Sequence, residues 1–203
     1  MSGLKAIVSP LSPFARKVRV TVLETGLSDS VSLENVSTSA LESHPVLVAA
    51  NPLGKLPALV REDGPMICDS RVICRYLDSL GGGRLYPEAR TWEVLTLEAL
   101  ADGMMEAAVL MAYEHRLRPE EKVFPDWVEA QWQKVSRTLS VIDARWMSHL
   151  AGPLDAAQIA LGCALGYLDL RHDARAWREG NDNLAAWYET FAARPAMQAT
   201  VPA

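Results

Sequence analysis

One segment rich in proline and glycine reads Asn51-Pro52-Leu53-Gly54-Lys55-Leu56-Pro57. Its two prolines and one glycine predict a turn that leads into a short strand. Pro57 would be the first residue of that strand, where a cis peptide bond is tolerated. Such a bond would turn the backbone N–H and C=O of Leu56 outward, where the backbone of a peptide-like ligand could pair with them. An ordinary loop ahead of an edge strand has the same composition, so the stretch alone leaves both interpretations open.

Short strand and helix patterns surround this stretch over the first 80 residues. Apolar or alternating runs bounded by Pro, Gly, Ser and Asp predict strands at residues 4–8, 31–36, 57–61 and 65–68. Apolar residues at helical spacing predict helices over residues 13–25 and 71–80. The order is strand, helix and strand, then a hairpin joined through Glu62-Asp63-Gly64, then a helix. This order is typical of a small α/β domain.

The remainder of the chain carries only helical patterns. They predict helices over residues 91–117, 125–150, 156–170 and 182–193. The helix over 156–170 is apolar on nearly all sides, which is typical of a helix in the middle of a bundle. We therefore divide the chain into an α/β domain at residues 1–79, a linker at 80–89 and an all-helical domain at 90–203.

Composition and charge exclude several classes of protein. Of the 203 residues 49% are hydrophobic, and the area-scaling law allows such a chain to bury about 70% of its unfolded surface, which excludes disorder. No window approaches the ~18 uncharged apolar residues of a membrane span, and the first residues lack a signal or transit pattern. The 20 basic residues are scattered among 25 acidic ones, so we expect no nucleic-acid or membrane partner. A small-molecule partner is expected instead.

The cysteines and histidines predict neither disulfides nor a metal site. Cys68, Cys74 and Cys163 are odd in number and lack CxxC spacing, which favours reduced thiols in the cytoplasm. The 4 histidines stand far apart along the chain. Because zinc sites need clustered ligands, we expect no bound metal.

A serine and a proline open the first predicted helix, in the segment Ser12-Pro13-Phe14-Ala15-Arg16-Lys17. Ser12 suits the N-cap and Pro13 the first helical position. The Ser12 hydroxyl is then expected at the positive end of a helix, directly after the first strand, where an anion can be held. Capping alone is the commoner explanation for an isolated Ser-Pro pair.

Asp69 and Ser70 stand between a predicted strand and the helix over 71–80. The Ser70 hydroxyl and the first free N–H groups of that helix suit a carboxylate, while Asp69 suits an ammonium group. Together they suit the α-amino acid end of a ligand. Capping alone is again the commoner explanation for Asp-Ser before a helix.

The order of these three segments, followed by an all-α domain, resembles the cytosolic glutathione transferase superfamily. The resemblance covers essentially the whole chain and is closest to bacterial members with an active-site serine. A further match lies at Leu154-Asp155-Ala156-Ala157-Gln158-Ile159, where the family has a capping box at the start of its central helix. This chain has Asp155 where the family has Ser or Thr, and Gln158 where it has Asp.

The resemblance implies a thioredoxin-like N-terminal domain that holds glutathione as co-substrate and a C-terminal helical bundle that contributes the second-substrate pocket. Carried over by position, Ser12 is the residue that contacts the glutathione sulfur, and Ser9 is a weaker alternative. The resemblance also implies that Leu56, ahead of a cis Pro57, pairs with the cysteinyl backbone of glutathione. It implies that Asp69 and Ser70 hold the γ-glutamyl end and that Lys55 reaches the glycyl carboxylate.

Four residues are candidates for the pocket of the second substrate: Ser9, Leu11, Met104 and Met105. Core packing is the alternative explanation for the two methionines. The resemblance further implies a cytoplasmic homodimer that conjugates glutathione to a small apolar electrophile, as in detoxification. Because Ser12 cannot form a mixed disulfide, thioltransferase activity is disfavoured. A non-catalytic glutathione-binding or stress-response protein and a glutathione-dependent isomerase or peroxidase are alternatives on the same fold.

Overall fold

The computed structural model describes residues 3–202, and these residues form two compact units. The first unit comprises the chain up to Thr91 together with the segment that begins at Pro195, and the second runs from Trp92 to Arg194. The sequence had predicted an α/β domain followed by an all-helical domain. The predicted boundaries at residues 79 and 90 differ from this division, because they place the segment that begins at Pro195 in the helical domain.

A mixed sheet of three strands, β1 (Leu4–Val8), β2 (Val31–Asn35) and β3 (Ala58–Val60), forms the centre of the first unit. The central strand, β1, pairs in parallel with β2 and antiparallel with β3. The strand expected over 65–68 is reduced to an isolated bridge between Ile67 and Leu59. Pro65 has no N–H to donate to a neighbouring strand, which explains why pairing is confined to Ile67.

Three helices cover this sheet: α1 (Pro13–Glu24), α2 (Pro45–Ala50) and α3 (Ser70–Leu80). The sequence predicted α1 and α3. It missed α2, whose six residues are too few for a helical period to be recognised.

Alternation along β1 sorts the core of the first unit into two clusters. Leu4, Ala6 and Val8 pack with apolar residues of α1 and α3. Ile7 points to the opposite face, where it packs with Leu47 of α2. Because side chains alternate across a strand, one five-residue strand supplies both clusters.

The second unit is helical throughout its regular structure. Its helices are α4 (Thr91–Leu117, which begins at the boundary of the first unit), α5 (Pro125–Arg145), α6 (Met147–Leu150), α7 (Ala156–His172) and α8 (Asp182–Ala192). The helix expected over 125–150 is divided at Trp146, whose ψ of 1° departs from helical geometry. Every residue of α7 from Ala156 to Leu168 is buried, as predicted for a central helix. Within residues 3–202, no helix has the length and apolar character that crossing a membrane requires.

The chain then returns to the first unit through α9 (Pro195–Gln198). Arg16 of α1, only 4% exposed, donates from its guanidinium to the carbonyl of Met197 at 3.1 Å and to the Thr200 hydroxyl at 3.4 Å. These bonds provide hydrogen-bond acceptors for a guanidinium that is buried away from water. They explain why the C-terminal segment groups with α1 and not with the bundle.

The start of α7 confirms the predicted capping box. The Asp155 carboxylate accepts from the Gln158 N–H at 3.1 Å, and the Gln158 side-chain oxygen accepts from the Asp155 N–H at 3.2 Å. The Gln158 amide also donates to the Leu150 carbonyl at 3.0 Å, and His149 Nε2 lies 2.8 Å from Asp155 Oδ2.

We expect Asp155→Ala to lower the free energy of unfolding by about 2 kcal/mol, the upper range for a lost N-cap, because the carboxylate is fully buried. Denaturant unfolding followed by tryptophan fluorescence measures this change. Asp155→Ser keeps a hydroxyl that can accept from Gln158 and, like Asp155→Ala, loses the contact with His149, so the two variants differ in the capping bond and Asp155→Ser should cost clearly less. Equal losses in the two variants would contradict a capping role.

Candidate functional site

Strand pairing brings the three segments singled out by the sequence to one edge of the first unit's sheet. Ile7 lies opposite Ala58 in an antiparallel pair, so the chain that leaves β1 runs beside the chain that enters β3. Leu59 of β3 bridges Ile67, which lies three residues before the first residue of α3, so the chain enters α3 from beside β3. The residues after β1, before β3 and at the start of α3 therefore meet at the carboxyl end of β1.

Ser12 is the N-cap of α1. Its Oγ accepts from the Ala15 N–H at 3.3 Å, and its backbone carbonyl accepts from the Arg16 N–H at 2.9 Å. A hydroxyl has one proton and two lone pairs, so accepting the capping bond leaves the proton available. The half-buried Ser12 can therefore cap the helix and donate to an anion at the same time. The capping and anion-binding interpretations do not compete.

The backbone of Leu56 is available for pairing. The Leu56–Pro57 peptide bond is cis, and among residues 3–202 no group hydrogen-bonds to the N–H or the C=O of Leu56. Leu56 is half-buried and Pro57 is buried, whereas the Lys55 side chain is exposed. A half-buried peptide N–H without a protein partner is a ready donor for a ligand.

Asp69 and Ser70 form the N-terminus of α3, as predicted. Asp69 is the N-cap and accepts from the Arg71 N–H at 3.0 Å, and the Arg71 guanidinium lies 3.2 Å from its second carboxylate oxygen. Burial acts to raise the pKa of Asp69, but the hydrogen bonds and charge of Arg71 and the charge of Lys17 outweigh it and hold the pKa below its ordinary value. Asp69 is thus an anion at neutral pH, beside the buried Ser70.

Two residues that bear on this site escaped the sequence interpretation. Lys17 is only 1% exposed, and its charge acts on Asp69 from α1. In the sequence it follows Arg16, and two adjacent basic residues are typical of a solvent-exposed surface. Asn51 is 2% exposed and hydrogen-bonds within the loop that leads to Leu56. Its place at the head of the Asn-Pro-Leu-Gly stretch was the one available signal.

The four pocket candidates fall in different units. Ser9 is half-buried and Leu11 is exposed, both between β1 and α1. Met104 and Met105 lie in α4 of the second unit and are buried, which is the usual environment of core methionines. Their assignment to a substrate pocket stays a prediction.

The described part of the chain contains no group of three or more His, Cys, Asp or Glu residues that could hold a metal ion. Cys68 is half-buried, and Cys74 and Cys163 are buried, all three as free thiols. The groups that the structure brings to the sheet edge include the Ser12 hydroxyl, the Leu56 peptide group and the Asp69 carboxylate.

Two family profiles match the chain. Residues 11–80 match the family described as "Glutathione S-transferase, N-terminal domain", and residues 125–190 match "Glutathione S-transferase, C-terminal domain". The fold and both matches define a glutathione transferase architecture, with a thioredoxin-like N-terminal domain and a C-terminal helical domain. The chain belongs to the cytosolic glutathione transferase superfamily.

Three relatives illustrate the similarity. A glutathione transferase family member from Pseudomonas fluorescens Pf-5, solved with bound glutathione, is 43% identical, with a TM-score of 0.96 over 99% of this chain and 100% of that one. Maize "Glutathione S-transferase 3" is 32% identical over 100% of this chain and 95% of its own. The "Uncharacterized GST-like protein YibF" of Escherichia coli (strain K12) is 29% identical over 98% of both chains.

Proposed function

We propose that this protein binds glutathione in its first unit and transfers it, as the thiolate, to a small apolar electrophile. The observation that carries the proposal is the convergence at one sheet edge of a helix-capping hydroxyl, an unpaired peptide N–H and a second helix N-terminus with an ionised carboxylate. Support also comes from the 43% identical Pseudomonas protein, which was solved with bound glutathione.

Each group at the edge suits one part of the tripeptide. The Asp69 carboxylate pairs with the γ-glutamyl ammonium, and the Ser70 hydroxyl with the adjacent N–H groups receives the γ-glutamyl carboxylate. The Leu56 N–H donates to the cysteinyl carbonyl. The exposed Lys55 ammonium reaches the glycyl carboxylate. With the backbone held at these points, the thiol faces Ser12.

Stabilising the thiolate is within reach of Ser12 and its helix. A thiol of pKa ~8.5 needs a shift of about two units, roughly 2.7 kcal/mol, to be mostly ionised at neutral pH. A hydrogen bond to an anion contributes ~1.5–3 kcal/mol and a helix N-terminus ~0.3–1 kcal/mol. The two contributions together cover the shift, so no further catalytic group is required for this step.

The chemical step is then nucleophilic attack by the bound thiolate. The sulfur donates its electron pair to the electrophilic carbon, a C–S bond forms, and the leaving group departs with the displaced pair or, in an addition, a proton is taken up. Holding the two reactants together supplies the remaining acceleration. We assign Ser9 and Leu11, which lie between β1 and α1, to the electrophile's environment, and we expect a cytoplasmic homodimer with a detoxifying role.

The test is a pH titration of the thiolate absorbance of bound glutathione, followed by turnover with apolar electrophiles. We expect the thiol pKa of bound glutathione to lie at least one unit below that of free glutathione, with turnover above the uncatalysed rate. Binding with an unshifted thiol and no turnover would instead identify a non-catalytic glutathione-binding protein. Absence of binding would contradict the proposal altogether.

Asp69 should keep the ammonium contact intact in weakly acidic solution. Since its pKa in the folded protein lies below the ordinary value, the carboxylate is present above that lowered pKa and is lost only as pH falls through it. We expect glutathione affinity to be constant from pH 7 down to about pH 5. In Arg71→Ala the pKa of Asp69 rises, so affinity should begin to fall at a higher pH. Calorimetric titrations across pH 4–7 compare the two proteins, and identical profiles would contradict this role of Arg71.

A further inference from the structure

Asn51 is a buried amide to which the proposed function has assigned no role. It follows the last residue of α2, is 2% exposed, and donates its backbone N–H to the Leu47 carbonyl at 2.6 Å. A buried amide side chain needs an acceptor for its NH₂ group and a donor for its oxygen. Both partners of Asn51 lie in the loop that leads to Leu56.

The Asn51 side chain closes this loop on itself. Its Oδ1 accepts from the Leu53 N–H at 3.1 Å, and its Nδ2 donates to the Lys55 carbonyl at 2.8 Å. Only this assignment of the amide oxygen and nitrogen matches a donor at Leu53 and an acceptor at Lys55. Gly54 completes the turn with a φ of +61° and donates its N–H to the Asn51 carbonyl at 2.8 Å.

The bond to Lys55 also fixes Leu56. The Lys55 carbonyl and the Leu56 N–H belong to one planar peptide group, and that group is trans. In a trans peptide the C=O and N–H point in opposite directions, so anchoring the carbonyl on Asn51 aims the Leu56 N–H away from Asn51. Donation to the carbonyl also polarises the group, which makes its N–H a stronger donor. No group among residues 3–202 accepts that N–H.

We infer that Asn51 is a positioning residue for glutathione, because it holds the Lys55–Leu56 peptide group in the orientation in which the Leu56 N–H donates to the cysteinyl carbonyl. The inference rests on the proposed function and deepens it. Asn51 acts through Leu56 and leaves Ser12 untouched. Its loss should therefore weaken binding of the tripeptide backbone without changing how the bound thiol ionises.

The test compares the wild type with Asn51→Leu, a variant of similar volume and unchanged charge that removes both side-chain bonds. Asn35→Leu is the matched control, because Asn35 is exposed at the end of β2 and outside the loop. We expect the Kd and KM for glutathione to rise about tenfold in Asn51→Leu, the loss of one oriented hydrogen bond. The kcat and the pKa of the bound thiol should stay unchanged, and Asn35→Leu should resemble the wild type.

Two truncated ligands separate the Leu56 contact from its neighbours. γ-Glutamylcysteine lacks the glycyl carboxylate but retains a cysteinyl carbonyl oxygen, whereas γ-glutamylcysteamine lacks both. The tenfold loss of affinity in Asn51→Leu should persist with γ-glutamylcysteine. Because this ligand has no glycyl carboxylate, the loss would then not arise from the contact of Lys55 with that carboxylate. With γ-glutamylcysteamine the loss should shrink to less than about twofold, because no carbonyl remains for the Leu56 N–H to bind.

Asn51→Asp provides a second variant in case Asn51→Leu does not fold. Its carboxylate can still accept from Leu53 but cannot donate to Lys55. The same ligand pattern is expected. Unchanged glutathione affinity, or equal weakening of all three ligands, overturns the positioning role of Asn51 alone. A wild type that binds no glutathione overturns the proposed function and this inference with it.

Discussion

Ser12→Ala should raise the pKa of the bound glutathione thiol most of the way back to its free value, and kcat/KM at pH 6.5 should fall about 10- to 100-fold. The magnitude is that of one lost hydrogen bond to an anion, ~1.5–3 kcal/mol. Because the wild-type site lowers the thiol pKa, the difference between the proteins should be largest below the pKa of free glutathione. It should narrow as pH rises above about 8.5, where the thiolate forms in both.

The measurements are the thiolate absorbance titration and pH–rate profiles with one apolar electrophile. Ser12→Thr retains a hydroxyl that can both cap α1 and donate, so it should keep most of the activity. Ser9→Ala is the second control, since Ser9 was the alternative thiol contact, and it should leave the thiol pKa unchanged. A shifted pKa in Ser9→Ala, with none in Ser12→Ala, would transfer the role to Ser9. Glutathione affinity should change only a few-fold in Ser12→Ala, because the backbone contacts remain.

Asp78→Ala should give the largest loss of stability. Asp78 lies in α3, is 3% exposed, and accepts three backbone N–H groups from the segment after the helix: Arg84 at 3.0 Å, Leu85 at 2.9 Å and Tyr86 at 3.2 Å. Removing the carboxylate leaves these donors without their acceptor. We expect a loss of about 4 kcal/mol in the free energy of unfolding, which corresponds to a fall of about 10 °C in Tm.

Denaturant unfolding and calorimetry measure this loss. Asp78→Asn keeps one acceptor oxygen and should lose about half as much. Asp63→Ala removes an exposed carboxylate from the same unit and should stay within about 0.5 kcal/mol of the wild type. If Asp63→Ala and Asp78→Ala were equally destabilised, net charge and not the anchoring of residues 84–86 would explain the effect.

Local sequence patterns were sufficient to predict the long helices. Periodic apolar residues predicted α4 and α7 within two residues of their observed bounds, because a long amphipathic or fully apolar run has few alternative structures. The same approach failed for α2 and for residues 65–68. Short segments are decided by tertiary pairing, and Ile67 has a single bridging partner in Leu59.

The candidate site likewise contains residues that the sequence identified and residues that it did not. Ser12, Asp69 and Ser70 could be singled out from the sequence because N-caps have local signatures, and both Ser12 and Asp69 are N-caps in the structure. Lys17 could not, since nothing in the sequence indicates that a lysine next to an arginine is buried and acts on Asp69. For Asn51 the sequence indicated only the turn in which it lies. It did not indicate the hydrogen bonds to Leu53 and Lys55.

Local signals in the sequence were enough to predict the order of the main elements, the two helix N-termini and the turn before Pro57, because caps, prolines and periodicity act over a few residues. Folding of the whole chain is what brings the segments of Ser12, Leu56 and Asp69 to one sheet edge, sets the charge of Lys17 near Asp69, and returns the C-terminal segment to α1. These features depend on strand register and on charges brought together from distant parts of the chain. Neither has a local signature, since both arise only when the chain is folded.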